Sequence, residues 1–197
     1  MRALLALLLA AVLFTAFAEN PLAQTKSSSN SGVVASMERK LQHVESNAQL
    51  AHPDRAPTEF TEQEINAYFA AGRVALPAGV RSVNFQGEPG FVTATTRVDF
   101  DQLKAGRNSS NPLLSIFSGL HDVVVTAHAH GAGGRGTVHV DSVSLDGVEV
   151  PRFVLQLFVE KYLQPKYPNV GLDSRFGLPD RIDTAVVGQH RLTVAQK

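Results

Sequence analysis

Residues 121–145 read HDVVVTAHAHGAGGRGTVHVDSVSL, and this stretch decides the fold class. Valines and alanines alternate with polar residues on both sides of residues 131–136, which hold four glycines. Alternation with a period of two is the pattern of a half-buried strand. Glycines tolerate the positive φ values of a tight reversal, so the spacing predicts a β-hairpin. A turn centred between Gly133 and Gly134 sets Ala127 opposite Val140 and Ala129 opposite Val138. On the reverse face it sets His128 opposite His139 and Thr126 opposite Asp141. The inward residues then change from even numbers (Val138, Val140) to odd ones (Val143, Leu145). One extra residue near Asp141-Ser142, a β-bulge, accounts for the change.

Upstream, Val92, Ala94, Thr96, Val98 and Phe100 alternate in the same way, preceded by a strand with Val83 and Phe85 and a turn at Gly87–Gly90. Downstream, Ile182, Thr184 and Val186, then Leu192 and Val194 beyond Gly188, predict a closing strand. Two helices precede the strands. The first, about 32–51, carries Val34, Met37, Leu41, Val44, Ala48 and Ala51 on one face, which is expected to pack on the protein's own sheet or against a partner or ligand. The second opens at Thr61, its N-cap. Glu64 completes a capping box, Phe60 and Ile65 occupy the hydrophobic-staple positions, and Gly72 stops the helix. Ile65, Tyr68 and Phe69 form its buried face.

A third helix starts at Pro151 and runs to Leu163. It carries Phe153, Val154, Leu155, Leu157, Phe158, Val159, Tyr162 and Leu163, with Arg152, Gln156 and Glu160 as one narrow polar stripe. At about 18 Å it is too short to cross a bilayer. Each large apolar side chain left in water forfeits roughly 1.5–3 kcal/mol, and a sheet covers a helix on one side only. The remainder is expected to be covered by residues 34–51, by a partner, or by a lipid-like ligand held between helix and sheet. Ala94, Ala127 and Ala129 replace larger residues on the strands and leave volume for such a ligand. Leu113, Leu114, Ile116, Phe117 and Leu120 are expected to plug the core or to form a greasy loop at the mouth of a pocket.

The chain begins with Met1-Arg2 and sixteen uncharged residues ending Ala16-Phe17-Ala18. This is the pattern of a secretory signal with a small-x-small cleavage site. Its apolar run spans only about 24 Å as a helix, which argues against a retained anchor. The expected organisation is a signal at 1–18, a disordered polar leader at 19–31 and one α+β domain at 32–197, located in the periplasm or secreted. Without Arg2 the chain has 17 basic and 18 acidic side chains, so no global positive field gathers nucleic acid or anionic membrane. The absence of cysteine removes disulfides as a source of stability.

The chemistry-bearing motifs are few. His128, His130 and His139, with Asp141 nearby, suit Zn²⁺ or Cu²⁺ by residue type, but they sit on the polar face of the hairpin beside a glycine loop, where exposed, solvated histidines are the plainer account. There is no Gly-x-Ser-x-Gly elbow and no His-Glu-x-x-His. The glycines at 131–136 lack the Lys-Ser/Thr of a phosphate loop. No enzyme activity and no cofactor are expected.

Phe60–Asn66, Leu76–Val80, Val148–Pro151 and Leu178–Ile182 resemble short motifs of the tubular lipid-binding (TULIP) superfamily, in particular its small YceB-like and LmeA-like bacterial members. The resemblance spans about 60–194. It implies a curved antiparallel sheet wrapped against helices as a half-barrel, with a lipid in an apolar groove near Ile65, Phe69, Phe153, Leu157 and Phe158. The family offers no catalytic residue to carry over. Three functions follow as expectations. The first is an exported, non-enzymatic binder of a lipid or other hydrophobic molecule. The second is an envelope scaffold or interaction module meeting another protein or the membrane surface. The third is a metal-binding protein using the strand histidines.

Overall fold

The computed structural model describes residues 28–104, 110–165 and 167–197. The expected signal at 1–18 and residues 19–27 of the leader lie outside the described residues. Helix α1 (Ser28–Ala48) is followed by β1 (Thr58–Thr61), α2 (Glu62–Ala70), β2 (Val80–Glu88), β3 (Phe91–Asp99) and the single turn α3 (Phe100–Leu103). A 3₁₀ turn (Pro112–Leu114) leads to β4 (Leu120–Ala132), β5 (Arg135–Leu145) and β6 (Val148–Glu149). Helix α4 (Arg152–Phe158) continues as a π-helical turn (Val159–Leu163), and β7 (Asp173–Gly177), β8 (Ile182–Gly188) and β9 (Arg191–Gln196) complete the chain.

All strand pairs are antiparallel within one nine-stranded sheet. The β4–β5 hairpin has Ala127 opposite Val140, His128 opposite His139 and Ala129 opposite Val138, and turns through Gly133 and Gly134 at φ 60° and 75°. Positive φ at both turn residues matches the right-handed twist of the flanking strands. The register then jumps to Thr126 opposite Ser142, so Asp141 is the bulged residue and Thr126 does not face it. The closing strand is a hairpin, β8–β9, turned at Gln189-His190 with His190 at φ 52°.

The sheet is not the half-barrel that the family resemblance implies. Its path β1-β9-β8-β4-β3-β2 is open: β1 and β2 lie at opposite ends, and the sheet neither closes nor curls strongly. The physical reason lies in β4, which is long enough to serve two partners along one edge. β3 pairs with it up to His128, and β8 takes over at His130 and Gly131. Its other edge pairs with β5, which in turn carries β6 and β7. The sheet therefore branches where a half-barrel would coil. In addition, the apolar helix is too short to be a rod for the sheet to wrap, since twelve residues reach only about 18 Å.

Two helical layers divide the work of covering the sheet. Helices α1 and α2 pack on each other, with contacts to β1 and β2. Phe60 and Ile65 are buried at the staple positions, and Phe69 meets Phe85 of β2 edge-on at 5.0 Å. Val34, Met37, Leu41 and Val44 of α1 are buried. The buried Asn47 amide donates to Gln196 Oε1 at 2.7 Å, and Gln196 donates to the Val44 carbonyl, which ties α1 to β9.

Glu64 holds the two helices together. Its carboxylate accepts from the Thr61 backbone at 2.8 Å as the capping box requires, and also from Ser36 Oγ at 2.6 Å and Lys40 Nζ at 2.7 Å of α1. Burial pushes the Glu64 carboxyl up. The hydrogen bonds from Lys40, Ser36 and Thr61 outweigh burial and bring it down to about 2. A carboxyl held below its unfolded value stabilises the fold above pH 4.5, and that stability is lost as pH falls toward 2. The shift corresponds to about 3 kcal/mol. In urea denaturation, Glu64→Gln should lose about 2–3 kcal/mol at pH 7. The gap from wild type should narrow steadily between pH 4.5 and pH 2.

Candidate functional site

Helix α4 and its π turn lie against β3, β4 and β5. In an α-helix, residues four apart form rows along the surface. The row Arg152, Gln156 and Glu160 is polar and faces out. Phe153 and Leu157 share the neighbouring row with Lys161; Phe153 is 59% exposed and Leu157 half-buried. The remaining rows, Val154, Phe158 and Tyr162 with Leu155, Val159 and Leu163, are buried. Gln164 N–H donates to the Val159 carbonyl at 2.9 Å, the five-residue spacing of a π turn. Val159 and Leu163 face the same space.

That space is an apolar cavity of about 110 Å³. Leu155, Phe158, Val159 and Leu163 form its roof, and Val98, Val123, Val125, Val140, Val143 and Leu145 form its floor. Phe100, Leu103, Phe117 and residues 170–172 complete the lining. Thr96 contributes the one side-chain hydroxyl of the lining, and that hydroxyl donates to the Ser82 carbonyl at 2.6 Å. The walls therefore offer an occupant no free side-chain donor.

The outer side of α4 is covered by neither expected candidate alone. Leu114 and Phe117 pack inward from the 3₁₀ turn, Phe117 at 4.2 Å from the Phe158 ring centroid, and Val170 and Leu172 are also buried. Leu113 and Ile116 of the same segment are exposed. The segment is thus a plug on one face and a greasy loop on the other. Helix α1, the expected cover, packs on α2 instead.

Of the residues expected at a ligand groove, Phe158 lines the cavity. Leu157 and Phe153 lie on the outward row, and Ile65 and Phe69 are on the buried face of α2, outside the lining. Ala94, Ala127 and Ala129 are buried but outside the lining. The helical rows that omit Arg152, Gln156, Glu160 and Lys161 are the signal for Leu155, Val159 and Leu163. Nothing in the strand alternation singles out the floor valines.

The strand histidines lie across a surface hollow of about 500 Å³ that includes His128, His130, His139, Asp173 and Arg175. His128 Nδ1 faces both Asp141 carboxylate oxygens at 2.8 Å, and His139 Nδ1 faces Asp173, which also accepts from Arg152. Hydrogen bonding from His139 holds the Asp173 carboxyl below the usual carboxylate range, against a smaller opposing effect of burial and with help from Arg152. Among the described residues, no three His, Cys, Asp or Glu side chains are grouped so as to hold a metal ion. The pairs join β4, β5 and β7 side by side.

His121 lies beside Phe100, one of the lining residues. Its Nδ1 faces Asp146 Oδ2 at 2.6 Å, its Nε2 faces the Ser118 carbonyl at 2.8 Å, and its ring lies 5.9 Å from that of Phe100. Both nitrogens meet acceptors, which only the imidazolium satisfies. The hydrogen bond to Asp146 raises the His121 pKa above 6.5, burial works against it, and Ser118 adds to it.

In comparisons with protein-family models, curated proteins and solved structures, no significant match to this chain was found.

Four outcomes follow from this geometry. Phe158→Ala removes a ring that touches Phe100, Phe117 and Tyr162, and should cost about 3–5 kcal/mol in chemical denaturation. Phe153→Ala should cost less than about 0.5 kcal/mol. Asp146→Asn keeps a residue type that tolerates the positive φ of this turn (49°), and should lower the His121 pKa toward 6.5 in an NMR titration. By linkage, a raised histidine pKa stabilises the fold fully below pH 6.5 and ceases to do so as pH rises through the folded value. The thermal-stability gap between wild type and Asp146→Asn should therefore shrink at alkaline pH.

Proposed function

We propose that this protein is an exported, non-enzymatic binder of a hydrophobic molecule, which inserts an apolar end between the Arg152–Leu163 helix and the β3–β5 floor. The observation that carries this reading is the cavity itself: about 110 Å³ walled by valines, leucines and phenylalanines, with its one hydroxyl already bonded to the chain. An engineered apolar cavity of about 150 Å³ stays dry and takes up benzene, so apolar space on this scale binds apolar ligands. Sites for whole small molecules are larger, about 300–1,000 Å³. The fitting occupant is the end of one alkyl chain or a small ring, with the rest of the molecule outside.

The N-terminal signal pattern supports export to the periplasm or beyond. The resemblance of residues 60–66 and 178–182 to exported lipid-binding proteins points to the same ligand class, without their half-barrel.

The test is native mass spectrometry of gently purified protein, followed by titration with dodecanoate. A retained hydrophobic adduct or saturable uptake is expected. Leu155→Phe, which fills the roof from within, should fold and weaken uptake about tenfold or more. A wild-type protein that carries no adduct and ignores dodecanoate would falsify the proposal.

A further inference from the structure

The surface hollow of about 500 Å³ lies on the face of β4 and β5 turned away from α4. That size suits a whole small molecule. Strand register sets out its floor. One row runs Phe91, His128, His139 and Asp173 across β3, β4, β5 and β7. The next runs Val186, His130, Thr137 and Arg175 across β8, β4, β5 and β7. Arg135 stands two residues before Thr137, on the same exposed face of β5. Its cross-strand neighbours, Ala132 and Gly177, are too small to cover it.

Most charges around the hollow are matched. Asp141 faces His128, Asp173 faces His139 and Arg152, and Lys197 pairs with Asp183. The β7–β8 connection adds Asp180 and Arg181, one charge of each sign. Glu88, opposite Phe91 on β2, is four strands from β7, about 19 Å away. Arg135, Arg175 and His130 are left over, with no hydrogen-bond or ion-pair partner among the described residues. Thr137 lies between them. Arg175 and His130 flank it about 5 Å to either side, and Arg135 is about 7 Å along the strand. Two unmatched guanidinium charges suit a dianion, and their forked N–H groups fit phosphate oxygens. The rest of the hollow is less polar. Val186 is 49% exposed there, and the Phe91 ring lies on that of His128 at 4.0 Å.

We infer that the hollow binds a small phosphate monoester. Arg135, Arg175 and His130 hold the phosphate over Thr137, and the apolar part of the molecule lies on Val186 and the Phe91–His128 pair. This site is on the opposite side of the sheet from the cavity under α4, and it stands or falls independently of that cavity's ligand.

The experiment is isothermal calorimetry of the purified protein with phenyl phosphate at about pH 8, where the phosphate is a dianion. Salt at about 150 mM screens non-specific attraction. Saturable binding with Kd below about 1 mM is expected. Arg135→Gln with Arg175→Gln, both at exposed positions, should weaken it about tenfold or more. Arg81→Gln with Arg97→Gln removes the same charge from arginines paired elsewhere on the surface, and should leave binding unchanged. Thermal denaturation checks that both double variants fold. Benzenesulfonate, a monoanion of similar shape, and inorganic phosphate, which lacks the ring, should each bind about tenfold more weakly or worse. No saturable uptake of phenyl phosphate by the wild type would overturn the inference. So would equal losses in the two double variants, or equal affinity for benzenesulfonate or inorganic phosphate.

Discussion

A short helix with too much apolar surface governs this molecule. Residues 152–163 carry eight large apolar side chains on about 18 Å of length, and β3–β5 can meet only part of that surface. The chain responds on three sides. The sheet takes the rows of Val154 and Leu155, the 3₁₀ turn and residues 170–172 close over the flank, and the row of Phe153 and Leu157 is left toward solvent. The π turn is part of the same accommodation. It runs through Val159–Leu163, and the valine floor beneath Val159 and Leu163 does not fill the gap.

The other half of the core is built on a different principle. Glu64 caps its own helix and, with the same carboxylate, ties down Ser36 and Lys40 of α1. One buried charge with several donors adds to the apolar contact between the 21-residue α1 and the nine-residue α2. With α1 and α2 locked together over one part of the sheet, neither covers α4. The division leaves the cavity where it is. It also sets Ile65 and Phe69 in a solid core, at a distance from the space that the greasy helix encloses.

Local patterns were legible where one residue type forces one geometry. The paired glycines at 133 and 134 fix the hairpin, the parity change from Val140 to Val143 reveals the bulge, and Thr61 with Glu64 marks a helix start. What escaped is long-range. The handover of β4's edge from β3 to β8 depends on strand lengths and on the Gln189-His190 turn, which carries no strong signal, so the curled half-barrel of the resembled family gave way to a branched open sheet. In the candidate site, Phe158 was legible because it lies opposite the polar stripe. Lys161 marks the row of Phe153 and Leu157 as outward, a cue outweighed by the hydrophobicity of those two side chains. The floor valines were invisible, because alternation tells which face is buried and not against what.

The claim on which this account stands is that the space under α4 is real and open to apolar matter. Methyl NMR under xenon pressure tests it most directly, since xenon enters dry apolar cavities without needing a hydrogen-bond partner. The account predicts saturable shifts confined to the methyls of Val125, Val143, Leu155, Val159 and Leu163, with those of Ile65, Leu192 and Val194 unmoved. Shifts absent from the first group, or no larger there than in the second, would contradict it.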